Sequence, residues 1–305
     1  MKKISFVVNG LLKNIDSIRA EIENQFSEEF DLSFLISPRS TESITLAERS
    51  LSNGADYIIA IGGDGTINEV INGVMKAPKE KRNDLIVGLL PTGSGNDFAK
   101  TMKLSSDIAY LKKMILQNNY RVIDLGEIKC KDFNNRDITR YFNNIADIGL
   151  GGEVVAILNR SKKIFGPTFR YFKASIQAFF SYKKKRIKIV SKEFVWEGAV
   201  LILCLANAGY FGSGLGIAPH AKVDDGKIAV VIAGDISLFD YLKNLPKIRR
   251  QQFINHPGLS YHEVESCTIE PLDNGLLLET DGELAGTLPL SMTVLKKELK
   301  FLSPD

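Results

Sequence analysis

The chain has 305 residues, 44% hydrophobic and 25% charged, and its 39 basic and 36 acidic residues give a net charge of +3. This length predicts about two globular domains, at roughly 150 residues each, and the composition excludes collagen-like, disulfide-rich and low-complexity chains. The three cysteines, Cys130, Cys204 and Cys267, are far apart and have no histidines at metal-ligand spacing. They favour a reducing compartment over a zinc site.

Targeting signals are weak in this sequence. The longest apolar stretch is far shorter than the roughly 20 residues of a membrane-spanning helix. The apolar run after the first three residues is also too short for a signal peptide and has no small-residue cleavage site. We therefore expect a cytoplasmic protein.

The first 120 residues alternate between strand and helix patterns. Strands are predicted at 4–8, 32–36, 57–61 and 85–90. Helices are predicted at 14–26, 42–52, from Thr66 onward, 96–102 and 107–117. This alternation indicates a doubly wound α/β domain with a parallel sheet covered by helices on both faces.

The pattern changes beyond residue 121, where short strand-like runs dominate. Strands are predicted at 122–128, 141–148, 195–206, 228–233, 266–269, 275–280 and 292–301. The sequence therefore predicts an α/β domain over 1–125 and a β-rich second domain over 126–289.

The nearly neutral net charge hides a strong asymmetry. Residues 160–192, here called the basic-aromatic segment, contain eleven basic residues and no acidic ones, which leaves 28 basic against 36 acidic residues elsewhere. Apolar residues recur at helical spacing within 168–182, and Lys183, Lys184, Lys185 and Arg186 follow directly. The segment fits either docking on an anionic membrane surface or a packed helix beside solvated lysines. It carries no nucleic-acid recognition motif.

The sharpest local motif follows the predicted strand 57–61 and reads Gly62-Gly63-Asp64-Gly65-Thr66. Glycines let a ligand approach the backbone, and a helix N-terminus offers unpaired N–H groups to a phosphate. Asp64 beside such an anion requires an intervening cation, for which Mg²⁺ is the usual choice. The alternative is a tight turn in which Thr66 is the N-cap of the helix.

A second glycine turn at 91–97, Pro-Thr-Gly-Ser-Gly-Asn-Asp, follows the next predicted strand. The carboxyl ends of neighbouring parallel strands meet at one edge of the sheet, so the two turns together favour a nucleotide pocket. Neither turn is a GxGxxG or a GxxxxGK[ST] motif, which disfavours dinucleotide-binding dehydrogenases and P-loop enzymes. Two acidic turns in the β-rich half, at 221–227 and 280–283, are ordinary in isolation.

Four segments together resemble the diacylglycerol kinase catalytic domain family, and in particular its bacterial soluble lipid kinases of the YegS and BmrU type. They are GGDGTINEVINGV at 62–74, PTGSGNDFA at 91–99, LGIAPHAKVDDGKIAVV at 215–231 and TDGE at 280–283. The resemblance covers essentially the whole chain, although GGDGT alone also occurs in NAD kinases and phosphofructokinases. It implies an α/β nucleotide domain, a β-sandwich, and a C-terminal strand at 290–305 that returns to the first domain.

The resemblance also implies an activity and a set of site residues. The activity would be Mg²⁺-dependent transfer of the ATP γ-phosphoryl group to a lipid hydroxyl, as in phospholipid biosynthesis. The implied nucleotide-binding residues are Asn9, Ser37, Gly62, Gly63, Asp64, Gly65, Thr66, Asn68, Glu69 and Ser94. Lys222 and Lys227, through their carbonyls, and the Asp225 carboxylate match the family's Mg²⁺ site. Glu283 matches the proposed catalytic base, and Asp64 is the second candidate catalytic residue.

One loop departs from the family pattern. Asn9-Gly10-Leu11-Leu12-Lys13 keeps the family's Asn but lacks its Pro and its later Gly. This departure leaves open a catalytically silent, membrane-associated ATP-binding protein. The GGDGT motif, which NAD kinases share, leaves open an NAD kinase-like small-molecule kinase. The expected partners are a lipid substrate and a peripheral anionic membrane surface, with no nucleic acid and with a homodimer as an open alternative.

Overall fold

The computed structural model describes residues 1–38, 41–160 and 166–304 and divides the chain into two units. The first unit comprises Met1–Ile123 and Lys297–Asp305, and the second comprises Asp124–Lys296. The corresponding limits predicted from sequence are 125 and 290. Among the described residues, no helix is both long and apolar enough to cross a membrane.

The first unit alternates strands and helices. Its strands are β1 (Lys2–Asn9), β2 (Phe30–Ser37), β3 (Tyr57–Gly62) and β4 (Ile86–Pro91). Its helices are α1 (Ile15–Phe26), α2 (Glu42–Ser52), α3 (Asp64–Met75), α4 (Lys79–Arg82), α5 (Asp97–Thr101) and α6 (Ile108–Gln117). The strands form a parallel sheet in the order β4-β3-β1-β2, and Phe301 near the chain end pairs in parallel with Val87 of β4.

Helices cover both faces of this sheet. On one face, Phe6 and Ile59 are buried in a cluster with Ile22 of α1 and Leu111 of α6. On the other face, α2 packs closely on β1, where the hydroxyls of Ser5 and Ser50 lie 2.6 Å apart. This is the doubly wound arrangement that the alternating pattern predicts.

The strand order places a topological switch between β1 and β3. The chain passes from β1 to β2 on one side of β1, and then continues at β3 on the other side. Open α/β sheets bind their ligands outside the carboxyl ends of the strands at such a point. In this unit those ends are Asn9 and Gly62.

The second unit is built mainly from antiparallel strands. They are β5 (Tyr120–Lys131), β6 (Asp137–Phe142), β7 (Ile145–Gly149), β8 (Lys185–Ser191), β9 (Val195–Val200), β10 (Ile202–Ala206), β11 (Ile228–Ala233), β12 (Leu259–Val264), β13 (Ser266–Pro271), β14 (Leu277–Thr280) and β15 (Glu283–Leu302). One layer has the strand order β12-β11-β10-β7-β14-β15. The other strands are connected through β15: β13 and β5 pair with it, β8 pairs with β13, and β9 pairs with β8. Side chains from both groups, among them Ile189, Ile269, Leu203 and Val230, share one buried cluster. This is a β-sandwich, and the predicted fold class is confirmed.

Three helices also belong to the second unit: α7 (Leu150–Arg160), α8 (Pro167–Ser181) and α9 (Leu238–Arg249). The sequence predicts only the one in the basic-aromatic segment. Two predicted strands are wrong in extent, because 141–148 is interrupted at Asn143 and Asn144 and 195–206 is interrupted at Leu201. The three cysteines are free and buried.

Candidate active site

The two glycine turns of the first unit are in direct contact. The N–H groups of Thr92 and Gly93 donate to the Gly62 carbonyl oxygen at 2.8 and 3.1 Å. A Cβ atom added to Gly93 would lie only 2.4 Å from the Cα atom of Gly63. The backbones can approach this closely only because both positions are glycine, so the turns expected to be neighbours are packed against each other.

Asp64 begins helix α3 and binds the second turn. Its carboxylate accepts hydrogen bonds from the N–H groups of Asp97, at 3.1 Å, and Phe98, at 2.9 Å, in the first turn of α5. Burial and the neighbouring Asp97 carboxylate raise the pKa of Asp64 above its ordinary value, although the two N–H groups oppose that shift. Asp97 in turn pairs with Lys100 at 2.9 Å. The site therefore has two adjacent carboxylates and one lysine.

The start of α3 corrects one sequence expectation. The helix begins at Asp64 rather than at Thr66, and its N-cap is Gly63, which has no capping side chain. The interpretation of Thr66 as an N-cap is therefore wrong. The Thr66 hydroxyl instead accepts a hydrogen bond from the Asn9 side-chain amide at 3.2 Å.

The altered first loop remains attached to this site. Besides its bond to Thr66, Asn9 accepts a hydrogen bond from the Leu11 N–H at 3.0 Å, and the Gly10 N–H donates to the Ser37 carbonyl at 2.9 Å. The ends of β1 and β2 and the first turn of α3 thus meet through Asn9, Ser37 and Thr66, although the family's Pro and Gly are missing.

The remaining candidate nucleotide residues lie around the same edge of the sheet. Glu69 is buried, and its carboxylate accepts a hydrogen bond from the Thr41 N–H at 2.6 Å, just before α2. Asn68 is bonded through its carbonyl and side-chain oxygens to the Asn72 amide group. Ser94 is exposed in the second glycine turn. Glu69 therefore stabilises the local fold, whereas Ser94 is open to a ligand.

The candidate metal residues lie in the turn that precedes β11. Lys222, Asp225 and Lys227 are exposed, and Asp225 accepts a hydrogen bond from the Lys227 N–H at 3.1 Å. The buried Asp124 carboxylate accepts a bond from the Gly226 N–H at 2.6 Å. Burial, together with the charges of Glu263 and Asp124, raises the pKa of Asp225.

These oxygen donors suit Mg²⁺ chemically. Magnesium is usually held by one or two carboxylates, with water or carbonyl oxygens completing its shell. The Asp124 carboxylate on β5 lies close enough to raise the pKa of Asp225 by its charge. No group of three or more His, Cys, Asp or Glu side chains arranged around a metal position occurs among the described residues. The oxygen donors of this turn are therefore of the type that Mg²⁺ binds.

The turn before β15 carries the candidate base. The buried Asp281 carboxylate accepts hydrogen bonds from the N–H groups of Asn143, Asn144 and Ile145, at 3.1, 3.2 and 2.8 Å. Asp281 and Gly282 have φ angles of 50° and 93°, in the region that favours glycine. Glu283 follows as the first residue of β15. Asp281 therefore fixes the turn that presents Glu283.

A cavity with a mostly apolar lining lies in the second unit. Helices α7, α8 and α9 and the chain from 201 to 217 all contribute to it. Its lining side chains include Leu150, Val154, Tyr171, Phe179, Leu201, Ile202, Leu215, Ile217, Tyr241 and Ile248. Such a cavity can take up an apolar chain.

Sequence reasoning missed the cavity and several acidic residues. Asp97 lies inside a motif that was recognised, but no role was assigned to it. Asp147 lies inside an otherwise apolar strand, whereas Asp124 and Glu279 follow apolar residues in strands that also carry other polar side chains. A lone carboxylate inside an apolar run was the available signal, because such a group is retained only with partners. No comparable signal exists for the cavity, whose lining comes from separate parts of the chain.

Comparison with known families agrees with this architecture. The model of the diacylglycerol kinase catalytic domain matches residues 4–128. The model of the YegS C-terminal NAD kinase beta sandwich-like domain matches residues 144–303, more than half of the chain. The chain therefore belongs to the diacylglycerol kinase family and is a kinase.

Individual relatives have low sequence identity to this chain. The chain is 29% identical over 279 residues to a diacylglycerol kinase of Staphylococcus haemolyticus, which covers 90% of this chain and 79% of the relative. A crystal structure of a protein provisionally named a diacylglycerol kinase, from Bacillus anthracis, superposes with a TM-score of 0.77 at 20% identity, over 99% and 97% of the two chains. Yeast NADH kinase complexed with NADH shares the fold, with a TM-score of 0.57 at 12% identity, over 100% and 84%.

Proposed function

We propose that this kinase transfers the γ-phosphoryl group of ATP to the hydroxyl of a lipid, diacylglycerol or a related molecule. The observation that carries the choice of a lipid is the apolar cavity of the second unit. A polar acceptor such as a nucleotide would leave that cavity without a purpose. The diacylglycerol kinases among the relatives support the same acceptor class.

The first unit would bind ATP at its paired glycine turns. The amides at the start of α3 have no capping side chain and can donate to phosphate oxygens. Lys100, paired with Asp97, lies beside the same turns and adds positive charge. Positioning and charge neutralisation account for most of the catalysis in phosphoryl transfer, so these donors would hold the triphosphate in place.

Divalent metal would be held by oxygen ligands. In the first unit Asp64 and Asp97 provide adjacent carboxylates, and in the second unit Asp225 and the carbonyls of Lys222 and Lys227 provide a separate set. When bound with ATP, Mg²⁺ neutralises negative charge on the phosphate oxygens. The raised pKa of Asp64 means that its ionised form is destabilised by burial and by Asp97. A positive charge beside the carboxylate would therefore be favourable.

Glu283 would act on the acceptor. A carboxylate is too weak to remove a proton from a free alcohol, so Glu283 would orient the lipid hydroxyl and accept its proton late in the transfer. The Asp281 turn supports this role because it fixes the backbone next to Glu283 through three N–H bonds.

A membrane surface would be the second partner. Within the basic-aromatic segment, Lys162 and Lys163 lie outside the described residues. Lys184 pairs with Asp235 and Arg186 pairs with Glu197, which reduces their availability for headgroups. The proposed surface is therefore the outer side of α8 and α9, where Phe180 and Phe239 are 79% and 73% exposed.

Basic and apolar residues alternate on that surface. A groove is lined by Phe169, Phe172, Leu242, Leu245, Pro246, Arg249 and Arg250. Exposed aromatic side chains among cations are typical of proteins that lie on anionic bilayers. Other residues of α8 and α9 line the apolar cavity, which supports transfer of a lipid from the bilayer into it.

The alternatives have weaker support. Similarity to NADH kinase at 12% identity concerns the fold, and NAD has no long apolar part to fill the cavity. A silent ATP-binding protein was suggested by the altered first loop. The bond between Asn9 and Thr66 keeps that loop at the glycine turns, and Glu283 is present in its motif.

The test is Mg²⁺-dependent transfer of labelled phosphate from ATP to diacylglycerol, phosphatidylglycerol and sphingoid bases in mixed micelles, and in parallel to NAD. We expect a lipid to be phosphorylated and NAD not to be. Glu283→Gln should lower kcat by about 10²- to 10⁴-fold while ATP affinity changes little, since the base acts only on the acceptor.

Glu193→Gln, a change at an exposed glutamate of the same unit, is the matched control and should keep full activity. Transfer to NAD alone would overturn the lipid assignment. A Glu283→Gln variant with a wild-type rate would show that Glu283 is not the base.

A further inference from the structure

Two acidic side chains are buried side by side beneath the turn that leads to Glu283. Asp147 on β7 and Glu279 on β14 are direct cross-strand partners. Asp147 has no exposed surface, and Glu279 is 5% exposed. Nothing in the proposed transfer reaction uses either of them.

The two members of this acid pair differ in the hydrogen-bond donors that surround them. Among the described residues, no N–H group and no hydroxyl donates a hydrogen bond to either oxygen of Asp147. The polar group that faces it across the strand pair is the Glu279 carboxyl. The other side of Glu279 accepts a bond from the N–H of Gly282, the residue before Glu283. A Cβ atom on Gly151 would lie 2.1 Å from an Asp147 oxygen, so that glycine leaves room for the carboxyl.

A hydrogen bond between two carboxyl groups requires a proton on one of them. Two buried carboxylates cannot both be ionised without a large electrostatic cost. Burial raises the pKa of Asp147 to about 6. Burial and the charge of Asp147 raise the pKa of Glu279 well above its ordinary value, so the pair holds one proton.

Among the described residues, none of the titratable groups that interact with the pair carries a positive charge to replace that proton. The titratable groups that face the pair are Tyr171, Tyr182 and Cys204, with Asp281 beside Glu279. All four are neutral or negative. A pair with one uncharged carboxyl group is therefore the form that the site accommodates.

We propose that Glu279 is a positioning residue that works as a neutral carboxylic acid, whose O–H donates to Asp147 and whose carbonyl oxygen accepts from Gly282. Together with Asp281, it holds the turn at 281–282 from below and so fixes the backbone that carries Glu283. The inference rests on the proposed function only where it assigns the base role to Glu283. The proton on Glu279 stands independently of the substrate.

The substitution Glu279→Gln tests this directly, because glutamine keeps one donor and one acceptor without a titratable proton. We expect this variant to retain kcat near neutral pH. Glu279→Leu, which keeps the volume and loses both bonds, should lower kcat on the order of 10- to 100-fold by misplacing Glu283, with the KM for ATP little changed.

The pH profile separates this role from simple packing. In the wild-type protein, loss of the Glu279 proton at alkaline pH creates two adjacent buried anions that repel each other and displace the turn, so kcat should fall. The glutamine variant cannot lose a proton there, and its alkaline limb should move to higher pH or disappear. Glu270→Gln, at an exposed glutamate on β13, should leave the profile unchanged.

Thermal unfolding gives a readout that needs no substrate. A glutamate whose folded pKa is raised stabilises the fold fully below its unfolded pKa, about 4.5, and that contribution is lost as pH rises toward the folded pKa. The midpoint of the glutamine variant should therefore fall less with rising pH than that of the wild type.

Each outcome has a distinct meaning. An unchanged slope of the unfolding midpoint with pH, or a folded glutamine variant as inactive as the leucine variant, would overturn the neutral-acid role. Absence of lipid phosphorylation combined with the expected change of slope would instead overturn the proposed function and leave the proton on Glu279 in place.

Discussion

The contact between Gly63 and Gly93 shows how single residues build the candidate nucleotide site. Their Cα atoms approach so closely that no other side chain fits, and the bonds from Thr92 and Gly93 to Gly62 hold the turns together. Asp64 adds a third link through the amides of Asp97 and Phe98. The glycines therefore set the distance between the two loops, in addition to giving the backbone conformational freedom.

This contact predicts the effect of Gly93→Ala. The added methyl group would force the two turns apart, so ATP affinity should fall at least about 10-fold, and the free energy of unfolding should drop by about 1–3 kcal/mol. Calorimetric titration with ATP and Mg²⁺ and urea unfolding measure the two effects. Gly166→Ala is the control, because a Cβ there meets no atom of the described residues within 4 Å. Unchanged ATP affinity in Gly93→Ala would separate this turn from the nucleotide site.

The residue types of the site were predictable from sequence, but several of their contacts were not. The motif residues Gly62 to Thr66 lie after a buried strand, as the pattern indicates. The bonds that occupy Asp64 come from residues 33 and 34 positions later in the chain. Pairing between Asp147 and Glu279 depends on β-sheet register across more than 130 residues, which local patterns do not encode.

At the scale of elements, the parallel domain was easier to predict than the sandwich. Helix α2 agrees with its predicted limits, since its pattern is regular. Helix α9 was missed because Pro246 lies inside it, and α7 was missed because Gly151 and Gly152 lie in its first turn. Both helices are stabilised by tertiary packing around the cavity, which outweighs their poor local propensity.

The cavity that these helices line predicts a dependence on acyl chain length. Leu215→Phe should narrow the cavity at a half-buried position, and so reduce kcat/KM for long-chain diacylglycerol more than for a short-chain analogue. A loss of about 10-fold on the long chain corresponds to roughly 1–2 kcal/mol of lost binding.

The matched control is Leu272→Phe, at a leucine that is 42% exposed and is not part of the cavity lining. Rates for both substrates in mixed micelles provide the comparison. Equal losses on long and short chains would mean that the cavity does not hold the acyl chain.

At the scale of the whole molecule, the net charge of +3 divides into a segment of +11 and a remainder of −8. The cations that the structure leaves exposed differ from those that the sequence suggests for membrane contact. Lys184 and Arg186 of the basic-aromatic segment pair with Asp235 and Glu197, while Arg249 and Arg250 lie exposed at the end of α9 beside apolar side chains. Sequence alone favoured the lysine run, because pairing partners more than ten residues away are invisible in it.

This difference predicts which arginines bind vesicles. Each exposed cation near an anionic surface contributes on the order of 1 kcal/mol, so Arg249→Gln with Arg250→Gln should weaken binding to anionic vesicles by about 10- to 30-fold. Arg186→Gln, at a paired position, should have a much smaller effect. Sedimentation with vesicles of mixed neutral and anionic lipids measures both, and added salt should reduce wild-type binding since the attraction is screened.

Phosphorylation of a short-chain, water-soluble acceptor should be unchanged in all three substitutions, because that substrate does not have to be reached at a bilayer. If Arg186→Gln weakened vesicle binding more than the two α9 substitutions did, the docking surface would be the lysine run at 183–186 instead.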